Sequence, residues 1–196
     1  MPPPQLNLFG GDMPDDVPEG LATRPDFLSE PEEAAAAVRL AALPFRAFEF
    51  HGFEGKRRTV SYGLQYRFDG SGLHEAEPFP DWLLPLRDRA ADWAKVARAA
   101  VRHALIVEYA PGAGIGWHRD RTVFGDVVGI SLLAPARLRF RRKVGEKWER
   151  KSLLAEPRSA YLLRGPAREE WEHSIAPMEQ LRYSITFRTL SRQDQL

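Results

Sequence analysis

The chain has no cysteine, which excludes disulfides, thiolate-held metals and iron–sulfur clusters. It has no basic-then-apolar segment at its N-terminus and no apolar run long enough to span a bilayer. A protein without membrane contact, in the cytoplasm, is therefore the expectation. It also has almost no net charge: 28 basic against 27 acidic residues leave +1, so any basic patch must be local. No internal repeat is visible. What is present is a globular composition, 43% hydrophobic and 28% charged over 196 residues, sufficient for one substantial core.

Residues 1–24 read as a disordered leader rich in Pro, Gly and Asp, and residues 25–196 as a single domain. Within the leader, Gln5-Leu6-Asn7-Leu8-Phe9 is an apolar stretch that could dock as a short tag. Ser29 is positioned to N-cap a helix over 30–42, with Pro31 in its first turn and Pro44 stopping it. Residues 45–68 alternate as hairpin strands do, and Asp69-Gly70-Ser71-Gly72 forms a turn. A second helix is predicted over 81–100, with Trp82, Leu83, Leu86, Ala90, Trp93 and Ala97 on one face. Its Pro85 is tolerable in a first turn. Short strands follow over 104–109, 116–120, 127–133, 138–142, 148–153, 160–164, 172–175 and 182–189. Two helices followed by such strands predict an α+β, mainly β fold: a jelly roll with the helices packed outside.

The chemistry-bearing residues sit on these strands. In Gly116-Trp117-His118-Arg119-Asp120, a His and an Asp two residues apart share one face of a strand. His173, in Trp171-Glu172-His173-Ser174-Ile175, is available as a third ligand. Two His and one carboxylate form the set that holds non-haem Fe(II) and leaves coordination positions open. In Arg182-Tyr183-Ser184-Ile185-Thr186-Phe187-Arg188 every second residue is polar. Arg182, Ser184, Thr186 and Arg188 therefore share a face, and Tyr183, Ile185 and Phe187 share the other. Read singly, the HxD is also compatible with surface polarity, His173 with a strand cap and the arginines with an exposed edge.

Together, Tyr109-Ala110-Pro111-Gly112-Ala113-Gly114-Ile115-Gly116-Trp117-His118-Arg119-Asp120, His173 and the Arg182–Arg188 strand closely resemble the AlkB family. The resemblance runs from about residue 26 to residue 190, with the motifs in the family's order. It implies a double-stranded β-helix core and an Fe(II)- and 2-oxoglutarate-dependent dioxygenase consuming O2. It further implies iron ligation by His118, Asp120 and His173. Tyr109, Arg182, Ser184 and Arg188 are expected to serve 2-oxoglutarate, Arg182 gripping its distal carboxylate. The expected activity is oxidative dealkylation of nucleic-acid bases, of the DNA-repair type.

Three departures bear on substrate. Val107 and Ser184 stand where repair members often have Asn, and Thr122 where some have an acidic residue that reads the base. Substrate recognition is expected from residues 45–74, where Phe48, Phe50, Phe53, Tyr62, Tyr66 and Phe68 interleave with Lys56, Arg57, Arg58 and Arg67. Arg58, Tyr62, Tyr66, Trp117 and Thr122 are the candidate substrate residues. Arg137, Arg139, Arg141, Arg142 and Lys143 form a second basic cluster. His51, His74 and His103 lack ligand spacing and read as surface or packing residues. The expected partner is alkylated nucleic acid, bound by a monomer with no obligate protein partner. Three alternatives stay open: the same oxygenase chemistry on RNA or tRNA, a protein side chain or a small molecule; a non-catalytic jelly-roll binding module; and a divalent-metal hydrolase, which gives the two arginines no role.

Overall fold

The computed structural model describes residues 17–50, 53–67 and 70–191, with backbone alone for 48–50 and 53–55. In chain order the elements are β1 (Leu21–Arg24), α1 (Glu30–Ala41), β2 (Arg46–Phe50), β3 (Phe53–Tyr62), β4 (Leu64–Arg67) and β5 (Gly72–Glu75). Then come α2 (Leu84–Ala94), β6 (Val101–Tyr109), β7 (Ile115–His118), β8 (Phe124–Leu132), β9 (Ala136–Val144) and β10 (Lys147–Ala155). The chain ends with β11 (Ala160–Leu163), the one-turn helix α3 (Pro166–Glu169), β12 (Glu172–Ile175) and β13 (Arg182–Leu190). Seven strands form one sheet in the order β1-β11-β8-β13-β6-β3-β2, four form a second in the order β10-β9-β12-β7, and β4 pairs with β5. The two large sheets share no ladder, so the described residues show an α+β, mainly β fold of separate sheets and not a closed barrel.

Helix α1 forms as the sequence predicts. Ser29 caps it, accepting from the Glu32 amide, while the Glu32 carboxylate takes the Ser29 amide at 2.8 Å. The second helix is shorter than predicted. It ends at Ala94, where Lys95 turns left-handed (φ 54°) and the Val96 amide folds back on the Ala91 carbonyl. Residues 98–100 form a separate 3₁₀ turn and Ala97 is exposed. Leu21–Arg24, which the sequence places in the leader, pairs antiparallel with β11, because Leu21 and Ala22 bury their side chains. Residues 1–16, including Gln5–Phe9, lie outside the described residues, as do His51 and Phe68 and the side chains of Phe48, Phe50 and Phe53.

Strand β13 lies between β8 and β6 at the centre of the large sheet, not at an exposed edge. Its apolar residues Tyr183, Ile185 and Phe187 join Leu40, Leu83 and Ala90 in the core beneath the helices. The opposite face meets the four-stranded sheet through a second core that contains Val107, Val127, Tyr161, Leu138, Phe140 and Trp171. Burial on both sides explains why an alternating strand is buried along most of its length. Among the described residues no helix is long and apolar enough to cross a membrane.

Candidate active site

Antiparallel pairing of β12 with β7 sets His173 directly opposite His118. The ring centroids are 4.3 Å apart, and Phe140 backs His173 at 6.3 Å. The strand predicted over 116–120 ends at His118, so Asp120 is not positioned by strand alternation. Pairing with β12 stops at His118, and beyond it a guanidinium holds the carboxylate: Arg188 Nη2 donates to Asp120 Oδ1 at 2.8 Å. The other oxygen, Oδ2, lies 4.0 Å from His173 Nε2. Arg168, from α3, ties down the same loop by donating through Nη2 to the carbonyls of Arg121 and Phe124.

The electrostatics prepare these groups as donors. Burial, reinforced by the neighbouring His118, pushes the His173 imidazolium pKa down to about 3. Burial also lowers that of His118, against the opposing pull of Asp120. Both rings are therefore neutral at physiological pH. His118 Nδ1 is 2.9 Å from the Gly116 carbonyl, which can only accept, so Nδ1 carries the proton and Nε2 keeps its lone pair. Burial works against the Asp120 carboxylate, but Arg188 first, then the imidazoles and Arg168, hold it well below the usual range. Among the described residues no group of three or more such side chains is already closed in metal-holding geometry. The donor set nonetheless suits a divalent ion: two neutral imidazoles and one ionised carboxylate are gathered at one place.

On the same face of β13 as Arg188 lies a buried cation. Arg182 is fully buried, with Nε donating to Ser131 Oγ at 3.0 Å, while Nη1 and Nη2 have no hydrogen-bond partner. A buried cation left unpaired is costly, and a carboxylate ligand would satisfy both nitrogens at once. The guanidinium sits 5.1 Å from the centroid of the Tyr109 ring. Burial raises the pKa of the Tyr109 phenol, which stays protonated as a donor. Ser184 lies opposite Ser131 in the ladder and is buried. Gly129, two residues before Ser131 on the same face of β8, packs on Tyr161: a Cβ there would meet the ring at 2.2 Å.

The candidate substrate residues do not gather at one place. Tyr66 lies under the Arg121 guanidinium at 4.9 Å, next to exposed Thr122 in the loop that carries Asp120. Arg58 and Tyr62 need correction, since both lie on the far, helix-covered face of β3. Arg58 pairs with Glu108, and Tyr62 packs on the helix-side core. Trp117 points outward from the four-stranded sheet, opposite in sense to His118, with Arg139 and Arg141 over its ring.

Four further residues lie around these groups; the sequence places Arg57 in the substrate-recognition segment and His103 among surface or packing residues, and does not single out Ser131 or Arg168. Arg57 faces Tyr109 and His118, and its charge is felt at both. Ser131 and Arg168 have the contacts described above. His103, read as surface or packing, is buried against Arg188 Nη1 and stacks on Phe124 at 4.8 Å. The signal for Arg57 was present: Thr59 and Ser61 share its parity and polarity.

Comparison with known proteins agrees with this geometry. The family described as "2OG-Fe(II) oxygenase superfamily" matches residues 20–188. An Arabidopsis thaliana protein, "Alkylated DNA repair protein ALKBH8 homolog", is 27% identical over 80% of this chain and 50% of its own. A Danio rerio protein, "Probable RNA/DNA demethylase ALKBH6", is 31% identical over 53% of this chain and 42% of its own. The chain thus spans about half the length of these curated relatives or less. The solved structure of OsALKBH1 superposes with a TM-score of 0.62 at 16% identity, covering 87% of this chain and 98% of that one, a likeness of fold. A family match over most of the chain, joined to a fold of the same kind, is decisive: the chain, similar to AlkB-related proteins, belongs to the 2OG-Fe(II) oxygenase superfamily, a family of oxidoreductases.

Proposed function

We propose that the protein is an Fe(II)- and 2-oxoglutarate-dependent dioxygenase that removes alkyl groups from nucleic-acid bases, with RNA, tRNA included, as eligible as DNA. In this reading His118, Asp120 and His173 hold the iron, and Tyr109, Arg182, Ser184 and Arg188 serve the co-substrate. When bound together, iron and 2-oxoglutarate would use one O2 to hydroxylate a substrate C–H bond, one oxygen atom going to that carbon and the other to the succinate formed as carbon dioxide leaves.

The residues divide the remaining work. Arg182 grips the distal carboxylate through Nη1 and Nη2, and the Tyr109 hydroxyl donates beside it. Arg188 keeps Asp120 ionised and oriented. The Gly116 carbonyl retains the His118 Nδ1 proton, which leaves Nε2 as the ligating atom. Val107, Val127 and Phe140, packed in the core between the sheets, exclude water from that side of the site.

The observation that carries the reading is the buried Arg182, whose two free guanidinium nitrogens share a strand face with Arg188 and its partner Asp120. Nucleic acid as substrate is supported by the names of the relatives, one of which speaks of DNA repair and the other of RNA or DNA. The DNA-repair specialisation expected from the sequence is broadened accordingly.

The test is anaerobic reconstitution with Fe(II) and 2-oxoglutarate, then oxygen and a panel of methylated DNA and RNA oligonucleotides. Formaldehyde release with loss of one methyl mass is the expected result. Turnover of 2-oxoglutarate that no methylated oligonucleotide stimulates would move the substrate to a protein side chain or small molecule. Failure to bind Fe(II) would revive the non-catalytic module.

A further inference from the structure

The outer face of the four-stranded sheet, remote from Arg182, has a composition unlike the rest of the surface. In β9, alternation turns Arg137, Arg139, Arg141 and Lys143 outward, and the register sets Arg150 of β10 opposite Arg141. Two indoles lie among them. Arg139 and Arg141 sit over the Trp117 ring at 5.3 and 4.4 Å, and Arg141 sits equally close to Trp148. Trp148 is 40% exposed, although indoles usually bury most of their surface.

This ladder is held flat from within the sheet. Arg139 Nε donates to Ser174 and Arg141 Nε to Glu172, which fixes both guanidinium groups against the indoles. Glu172 is the carboxylate on this face among the described residues, set against five cations. A fold needs no such excess of positive charge, and a chain with a net charge of +1 concentrates it here. Arg139 also lines a cleft of about 300 Å³ with Lys56, Gly114 and Gly116, at the β7 edge that carries His118. A side chain at Gly116 would meet nothing within 4 Å, so a bulky backbone can pass close over it.

We infer that this arginine–tryptophan face, extended through the Lys56–Arg139 cleft, is a docking track for the nucleic-acid strand flanking the target base. The proposal rests on the nucleic-acid reading of the active site. Phosphates meet the cations and bases stack on the exposed indole, a pairing that fits a single strand better than a generic polyanion.

The test compares a methylated trinucleotide, too short to reach the face, with a methylated oligonucleotide of ~20 nucleotides. The Arg137→Ser, Lys143→Ser, Arg150→Ser triple variant removes exposed charges and leaves the active site untouched. Expected are unchanged trinucleotide turnover, an at least ~10-fold rise in half-saturating long oligonucleotide, and a log–log salt slope shallower by about 2 (three phosphates at ~0.7 each). Trp148→Ala should weaken the long substrate by ~5-fold or more without changing the salt slope. Unchanged long-substrate binding and slope in the triple variant overturn the track and leave the oxygenase reading standing. Poly-glutamate competing as well as the oligonucleotide, with equal loss in the variants, overturns it in favour of an acidic protein. A wild-type protein inactive on both the trinucleotide and the long oligonucleotide overturns both readings before any face variant is made.

Discussion

Arg57 and Arg58 are consecutive residues on opposite faces of β3. Arg58 crosses to Glu108 at 2.7 Å, where Tyr183 donates to the same carboxylate and Phe45 lies under the guanidinium. Arg57 faces Tyr109 and His118. The two substitutions should therefore separate cleanly. Arg58→Ala should lower the melting temperature by ~2–4 °C, for a loss of about 1 kcal/mol, because the Arg58 side chain is 52% exposed and solvent screens the pair. Its turnover should be unchanged. Arg57→Ala should leave melting alone and slow turnover; a thermal loss with normal turnover would reverse the assignment of faces.

Arg182→Ala should chiefly raise the 2-oxoglutarate requirement. Two charge-assisted bonds to a carboxylate would be lost, each worth about 1.5–3 kcal/mol, so the half-saturating concentration should rise by ~100-fold or more. Oxygen consumption titrated against 2-oxoglutarate reads this directly. An unchanged requirement refutes that role for Arg182.

His118→Ala and Asp120→Ala should both abolish turnover, but they should not melt alike. Asp120→Ala strands the Arg188 guanidinium, whose side chain is 9% exposed, and breaking a buried pair costs about 3–5 kcal/mol. His118→Ala strands no charge. Circular dichroism melts beside decarboxylation assays check both expectations, and near-normal decarboxylation in either variant sinks the ligand assignment.

The cap of α1 gives a pH signature distant from the site. Hydrogen bonds from Arg89, then from Ser29, lower the Glu32 pKa from 4.5 to about 2. A depressed carboxyl stabilises the fold fully above its unfolded value and loses that contribution as pH falls towards the folded value. Urea midpoints should therefore decline between about pH 5 and about pH 2, and Glu32→Gln should flatten that decline. The effect should be small, since the Glu32 side chain is 41% exposed.

Much of the site was legible because it depends on local periodicity. Alternation alone sorted Arg182, Ser184, Thr186 and Arg188 from Tyr183, Ile185 and Phe187, and the structure keeps that division. The same rule failed for Asp120, where the strand ends two residues earlier and a distant guanidinium does the positioning. It also failed for Arg58 and Tyr62, where the choice of face depends on which partner strand pairs and in what register. A shift of one residue exchanges Arg57 for Arg58. Ser131 and Arg168 were invisible for a different reason. Each acts through a contact far away in sequence, and no short pattern records such contacts.

Gly129 sets a limit on how this enzyme can be re-engineered. The Tyr161 ring occupies the space where any side chain at position 129 would begin. Mutagenesis that seeks a smaller or differently shaped co-substrate chamber cannot add bulk there without displacing that ring. Redesign is directed instead to Ser131 and Ser184, paired across β8 and β13 on the same face. The position of the Tyr161 ring thus depends on a side chain that the sequence omits.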